Sequence, residues 1–155
     1  MYAAYAMRNF VAYLVLVYLV LAGTPLCVAA EPDHIGIIKS LAGDAVIVRS
    51  VTTITAVENM KLLKGDHIAT GNTGKVGMIF EDDTVMSIGP NSRIVIEDFA
   101  FQPSEKKLSF IAKILQGTVS YVSGQIAKLA PNRVRIETPH ATVGTRGTHV
   151  LLKVE

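Results

Sequence analysis

From residue 35 to residue 154, apolar side chains recur at every other position in short runs, and glycine or Asn/Asp clusters separate the runs. Such alternation belongs to half-buried strands, and the separators are turn formers. Residues 36–41 form the first run, closed by Ala42-Gly43-Asp44. Residues 45–49 are a β-branched strand with Val46 and Val48 on one side. Residues 50–58, rich in Thr, Val and Ile, favour extended chain. A corner at 62–66 follows, then a short strand at 67–70 and a turn at Gly71-Asn72-Thr73-Gly74. Residues 75–80 and 84–88 read as a hairpin around Glu81-Asp82-Asp83, taken as a solvated tip. After Gly89-Pro90-Asn91-Ser92, residues 93–99 alternate with Ile94 and Ile96 inward and Arg93 and Glu97 outward.

The second half is less uniform. Residues 102–107 form a polar loop. Residues 108–116 fit a helical face through Leu108, Ile111, Ala112 and Leu115, and a strand face through Leu108, Phe110, Ala112 and Ile114. Length and the flanking Gly117 favour the strand, with residues 118–122 as a separate strand after it. Residues 125–129 suit one helical turn, stopped by Pro131. In 133–138, Val134, Ile136 and Thr138 share a face until Pro139 removes a backbone donor. Extension resumes at 141–143, and 149–154 alternates again with Val150, Leu152 and Val154 on one face. Between these two runs, Gly144 and Gly147 bracket Thr145 and Arg146, a spacing suited to a tight corner. The pattern predicts an all-β fold. Glycine also recurs at strand ends (Gly43, Gly65, Gly71, Gly89, Gly117, Gly144), which suits a chain that coils through many short strands, and a β-sandwich would show the same punctuation.

The first thirty residues depart from this pattern. Their only charge is Arg8, residues 10–22 are an apolar run broken only by tyrosines, and Gly23-Thr24-Pro25 ends any helix. Val28-Ala29-Ala30 then places small residues before Glu31. This reads as an N-terminal signal-peptide helix in residues 1–30, cleaved after Ala30, ahead of a β domain at 31–155. Residues 9–30, uncharged and about 20 residues long, are the alternative as a retained inner-membrane anchor, and they are the only membrane contact foreseen. Arg8 on the N-terminal side places the remainder outside the cytoplasm in either case, in the periplasm. Without Arg8 the 15 basic residues become 14 against 13 acids, which gives no warrant for nucleic-acid binding. The single cysteine, Cys27, lies in the leader, so the β domain has neither disulfide nor thiol ligand.

Candidate chemistry is sparse. Residues 71–77 lack the glycine spacing and the hydroxyl after Lys75 that a phosphate loop needs, so they read as a turn. Glu81, Asp82 and Asp83 lack the further acids of a calcium loop. Of His34, His67, His140 and His149, only His140 and His149 flank one corner, where zinc has weak support, and no serine is placed beside a histidine by any motif. No catalytic residue, metal or cofactor is expected. Phe99 and Phe101 are a candidate exposed aromatic ledge for a sugar or a protein, unless one of them covers the core. Arg146 has two open readings, a clamp on the corner's carbonyls or a solvated side chain.

The motifs at 43–49 (GDAVIVR), 63–71, 80–84 (FEDDT), 115–124 and 134–148 together resemble the FecR domain. Leu63-Lys64-Gly65-Asp66, Ile68, Thr70 and Gly71 are similar to its L-x-x-G-D-x-I-x-T-G pattern. Asp83 stands where its F-x-D-G-T motif usually has glycine, from which a less strict turn is expected. The resemblance implies a β-solenoid or roll and a binding or signalling module instead of an enzyme, with an envelope protein as partner. Polysaccharide or peptidoglycan is the alternative ligand. The exposed solenoid edge, or the corner Gly144, Thr145, Arg146, Gly147 and Thr148, is then the candidate contact. Regulatory members also carry a cytoplasmic sigma-factor-binding segment, a membrane helix and a C-terminal receptor-contacting part. With at most nine residues ahead of its apolar run and none after Glu155, the chain is not expected to run that relay alone; its last turn is expected to be uncapped, and the chain incomplete or paired with a partner.

Overall fold

The computed structural model describes residues 33–144 and 149–155. The expected signal peptide, its cleavage site and Thr145, Arg146, Gly147 and Thr148 lie outside the described residues.

Alternation yields strands where it was expected. Gly36–Ala42 (β1), Ala45–Arg49 (β2), Thr52–Thr55 (β3), Lys61–Leu62 (β4), His67–Thr70 (β5) and Lys75–Phe80 (β6) make the first half. Val85–Ile88 (β7), Arg93–Gln102 (β8), Lys107–Val122 (β9), Val134–Glu137 (β10), Thr142–Gly144 (β11) and His149–Val154 (β12) complete it. Gln125–Leu129 forms the expected short helix, α1. The strands hydrogen-bond into one 12-stranded sheet.

The connections explain its curl. β1 runs on into β2, β5 into β6 and β7 into β8, but each pair changes neighbours at the join. β1 lies against β6 while β2 lies against β5. β7 and β8 lie along successive halves of β9, at Val119–Val122 and at residues 107–116. The sheet is therefore creased. One wing holds β4, β1, β6, β7, the end of β9 and β12; the other holds β3, β2, β5, β8, the start of β9, β10 and β11.

Glycines lie along that crease because chains must bend and approach closely there. Gly71 N–H donates to Asp44 O at 2.8 Å, Asn91 N–H to Gly71 O at 2.9 Å, and Gly89 N–H to Thr118 O at 2.9 Å. Gly117 has φ +98°, and a Cβ there would lie 2.5 Å from Ser92 Cβ and closer still to its Cα. Only glycine meets both conditions without strain.

The core lies between the wings. Phe80 on β6 meets Phe110 on β9 edge-on at 5.1 Å and stacks on Phe99 of β8 at 5.8 Å, and Phe110 meets Tyr121 at 5.6 Å. Phe80 and Tyr121 come from one wing, Phe99 and Phe110 from the other. Ile38, Ile47, Ile68, Met78, Ile94 and Ile114 fill the space around them, fully buried. This quartet sews the wings together, and each such ring buries roughly 150–250 Å².

The all-β expectation holds; the solenoid does not. A solenoid stacks parallel coils, whereas β10 on β9 is the one parallel pairing among the described strands. The hairpin turns at 50–51, 81–84, 103–106 and 138–141 reverse the chain, and reversal produces antiparallel neighbours. The result is a curled antiparallel half-barrel. The ambiguous run at 108–116 is strand, with Phe110, Ala112 and Ile114 buried. The separate strand expected at 118–122 is the second half of β9, since Gly117 bends the chain without ending its pairing.

Candidate functional site

Turn sequences place the polar side chains that the fold encloses. Asp82, in the β6–β7 turn, is fully buried, not solvated as expected of a hairpin tip. Its carboxylate accepts from Thr84 Oγ1 at 2.8 Å, Thr84 N–H at 3.1 Å and Ile126 N–H at 3.2 Å. Thr84 Oγ1 accepts from Gly124 N–H at 3.1 Å. Two side chains thus satisfy the otherwise orphaned donors at the start of α1, which has no cap of its own. With the carboxylate so occupied, the calcium reading of this triplet loses its central ligand. Asp83, at the position where the family motif usually has glycine, adopts φ +64°, in the left-handed region. Asp tolerates the left-handed region better than most residues.

Asp66 is the second enclosed acid. Arg49, at the end of β2, donates Nε to its Oδ1 and Nη2 to its Oδ2, both at 2.8 Å, and Leu63 N–H donates to Oδ2 at 2.8 Å. Arg49 Nη2 also reaches Lys61 O at 3.0 Å. The hydrogen bond to Asp66 raises the Arg49 pKa above its ordinary value. This fork ties β2 to the corner before β5. Sequence reading had placed Arg49 and Asp66 in two separate motifs and missed their pairing. The available signal was an arginine ending a β-branched strand and an aspartate after a turn glycine.

Of the predicted site residues, Gly144, Phe99 and Phe101 are described. Gly144 ends β11, with open space where a Cβ would point. The rest of its corner, Arg146 included, lies outside the described residues. Phe99 is buried in the aromatic quartet while Phe101 is half-buried at the end of β8, so the exposed two-ring ledge does not form. Alternation explains this only in part, because β8 has an irregularity between Ile96 and Asp98 that shifts its facing. His140 is exposed in the β10–β11 turn, and among the described residues no cluster of metal-ligating groups occurs. Residues 71–74 are a turn, with Gly74 N–H bonded to Gly71 O at 3.1 Å.

One juxtaposition was unforeseen. Ser120 Oγ and His149 Nε2 lie 2.9 Å apart, on neighbouring strands β9 and β12. The pair sits exposed on an open sheet face. Nucleophilic catalysis needs an oriented base and donors for the developing oxyanion. Among the described residues no carboxylate bonds His149, and the pair reads as a surface contact.

The two outer faces differ in chemistry. Over β8, β9 and β10, Lys113 Nζ lies 2.7 Å from Glu97 and 3.9 Å from Glu137, and Lys64 pairs with Asp98. The Lys64 bond, with one from Ser109, holds the Asp98 carboxyl below the usual carboxylate range. Glu97 holds the Lys113 ammonium above its ordinary value. Over β1, β6, β7, β9 and β12 lies a trough of about 470 Å³, lined by Ser40, Gly77, Ser87, Ser120 and Leu151 among others.

Residues 66–155 match the family described as FecR protein. The chain belongs to the FecR family. The match begins at Asp66, the buried partner of Arg49, and includes the Asp82 turn, the crease at Gly117 and the strands that close the half-barrel. The FecR domain is a type found in envelope signalling regulators and is generally non-catalytic. No curated protein and no solved structure matches the chain.

Proposed function

We propose that this FecR chain is an exported, non-catalytic domain that binds a protein partner in the bacterial envelope, as a signalling or scaffolding module. The family match over residues 66–155 carries the reading. The leader-like residues 1–30, with one charge and a small-residue end, support export to the periplasm. The most strongly fixed polar groups, Asp66 and Asp82, are spent on holding turns, which suits a rigid scaffold. The corner Gly144, Thr145, Arg146, Gly147 and Thr148, which leads into β12 along the chain, is the contact this reading assigns; among the described strands β12 pairs only with β9. A strand edge offers unpaired backbone groups to an incoming segment.

Cross-linking in intact cells, followed by mass spectrometry of captured envelope proteins, tests it. One partner is expected with the wild type and is lost with Arg146→Ala. Sedimentation with purified peptidoglycan runs alongside. Binding to the polysaccharide without a protein partner would replace this reading with a cell-wall-binding one.

A further inference from the structure

The outer face of the first wing is unlike a solvated sheet face. A solvated face interleaves charges of both signs, as Lys113, Glu97 and Glu137 do on the other wing. Here the register sets two rows across the strands. Ile37, Ile79, Val85 and Val122 stand opposite one another in successive pairs and form a ridge. Val85 and Val122 are 36% and 38% exposed. One outward position further along, Ser40, Gly77, Ser87 and Ser120 are likewise paired in series and form the floor of the trough. Leu151, 69% exposed, ends that row on β12, while His149, opposite Val122, ends the ridge, and Lys39 is exposed at the β1 irregularity between the rows.

Charge follows the same axis. Along β6 the alternate positions read Lys75, Gly77 and Ile79, a cation, the floor and the ridge; Glu81 follows in the β6–β7 turn, with its Oε1 3.5 Å from His34 Nε2. Lys75 and Glu81 are both exposed. Such an order is complementary to its own reverse. A two-fold axis lying in the face, along the rows and between ridge and floor, lays each copy's ridge in the other's trough. The same operation sets Glu81 of one copy over Lys75 of the other. An isologous interface requires this kind of self-complementarity.

We propose that this face is a homodimer interface, in which the ridge of each copy fills the trough of the other and Glu81 pairs with Lys75 across the two-fold axis. Five strands spaced about 4.8 Å apart and about 20 Å long cover roughly 480 Å² a side, near 1,000 Å² for two copies, the lower bound for a specific contact. A contact of this size belongs to the small, transient class of interface. The inference does not rest on the envelope partner.

Sedimentation velocity of the protein purified in the form that accumulates, over roughly 1–200 µM, measures the association. A monomer–dimer equilibrium is expected. Ser87→Arg, at an exposed position on the trough floor, is expected to weaken it by about a hundredfold while circular dichroism stays unchanged. Glu81→Lys and Lys75→Glu are each expected to weaken the dimer about tenfold, and the double variant to restore it. A monomer at every concentration overturns the proposal. So does a monomer that sediments with phosphatidylglycerol vesicles, which would assign the face to lipid. A dimer indifferent to Ser87→Arg, or single charge variants not rescued by their combination, overturns it as well.

Discussion

Gly117→Ala separates two costs that a glycine at a crease combines. The first is backbone strain, because φ is +98° at this position. A residue with a Cβ in such a region costs about 1–3 kcal/mol. The second is crowding, because the new methyl would lie 2.5 Å from Ser92 Cβ and nearer its Cα. Backbone must then move, which costs about 1–3 kcal/mol in a packed interior. Ser92 is poorly placed to move. Its N–H donates to Thr70 Oγ1 at 2.9 Å, and its Oγ accepts from Thr118 N–H at 3.1 Å. Loosening these two bonds adds about 1 kcal/mol each. The sum expected for Gly117→Ala is about 4–8 kcal/mol, a large part of a domain's typical ~5–15 kcal/mol. Gly65→Ala is the control. Its φ is +85°, but nothing lies within 4 Å of the added Cβ, so it carries strain alone. The expected loss there is about 1–3 kcal/mol. Urea denaturation followed by far-ultraviolet circular dichroism measures both. Equal losses in the two variants would refute the close approach of β9 to the β7–β8 corner. A loss under about 1.5 kcal/mol for Gly117→Ala would do the same.

Three further outcomes follow from the enclosed groups. Arg49→Met leaves the Asp66 carboxylate buried without its cation, and a loss of about 3–5 kcal/mol in urea denaturation at neutral pH is expected, with Arg49→Lys losing less. Asp82→Asn turns an amide toward donors, so faster hydrogen exchange at Gly124 and Ile126 is expected along with a loss of about 1–3 kcal/mol; unchanged exchange at both amides would contradict the capping role. Lys64→Met removes the partner that depresses the Asp98 pKa. A depressed carboxylate contributes stability above its unfolded pKa of about 3.9 and loses it as pH falls through the lower folded value. Wild type should therefore exceed Lys64→Met by under about 1 kcal/mol at pH 7, this pair being partly exposed, and the gap should close in acid below that range; a gap that widens in acid reverses the sign and refutes the assignment.

Alternation was sufficient to find the strands because side-chain facing in a strand is a local property. Ile94 and Ile96 point inward, and Phe110, Ala112 and Ile114 share the strand face, as their spacing required. Turn chemistry was equally local, so Gly71-Asn72-Thr73-Gly74 and Gly89-Pro90-Asn91-Ser92 were legible as breaks. The motifs from Asp66 onward carried the family. Neighbour choice was not legible. Whether glycine-marked joins reverse the chain or crease it depends on which strands lie alongside, and only the folded sheet decides that. Gly117 looked like a strand end and is a bend within one strand.

The same limit applies to the polar groups. Asp82 in an acidic triplet looks solvated, and it is buried because α1, more than forty positions later, delivers Ile126 N–H to it. Phe99 looked available for stacking until Phe80 and Phe110 arrived from other strands. Local period and turn preference act over a few residues and are written in the chain's order. Burial and pairing are set by residues far apart in that order, and contact between them exists only once the wings have closed.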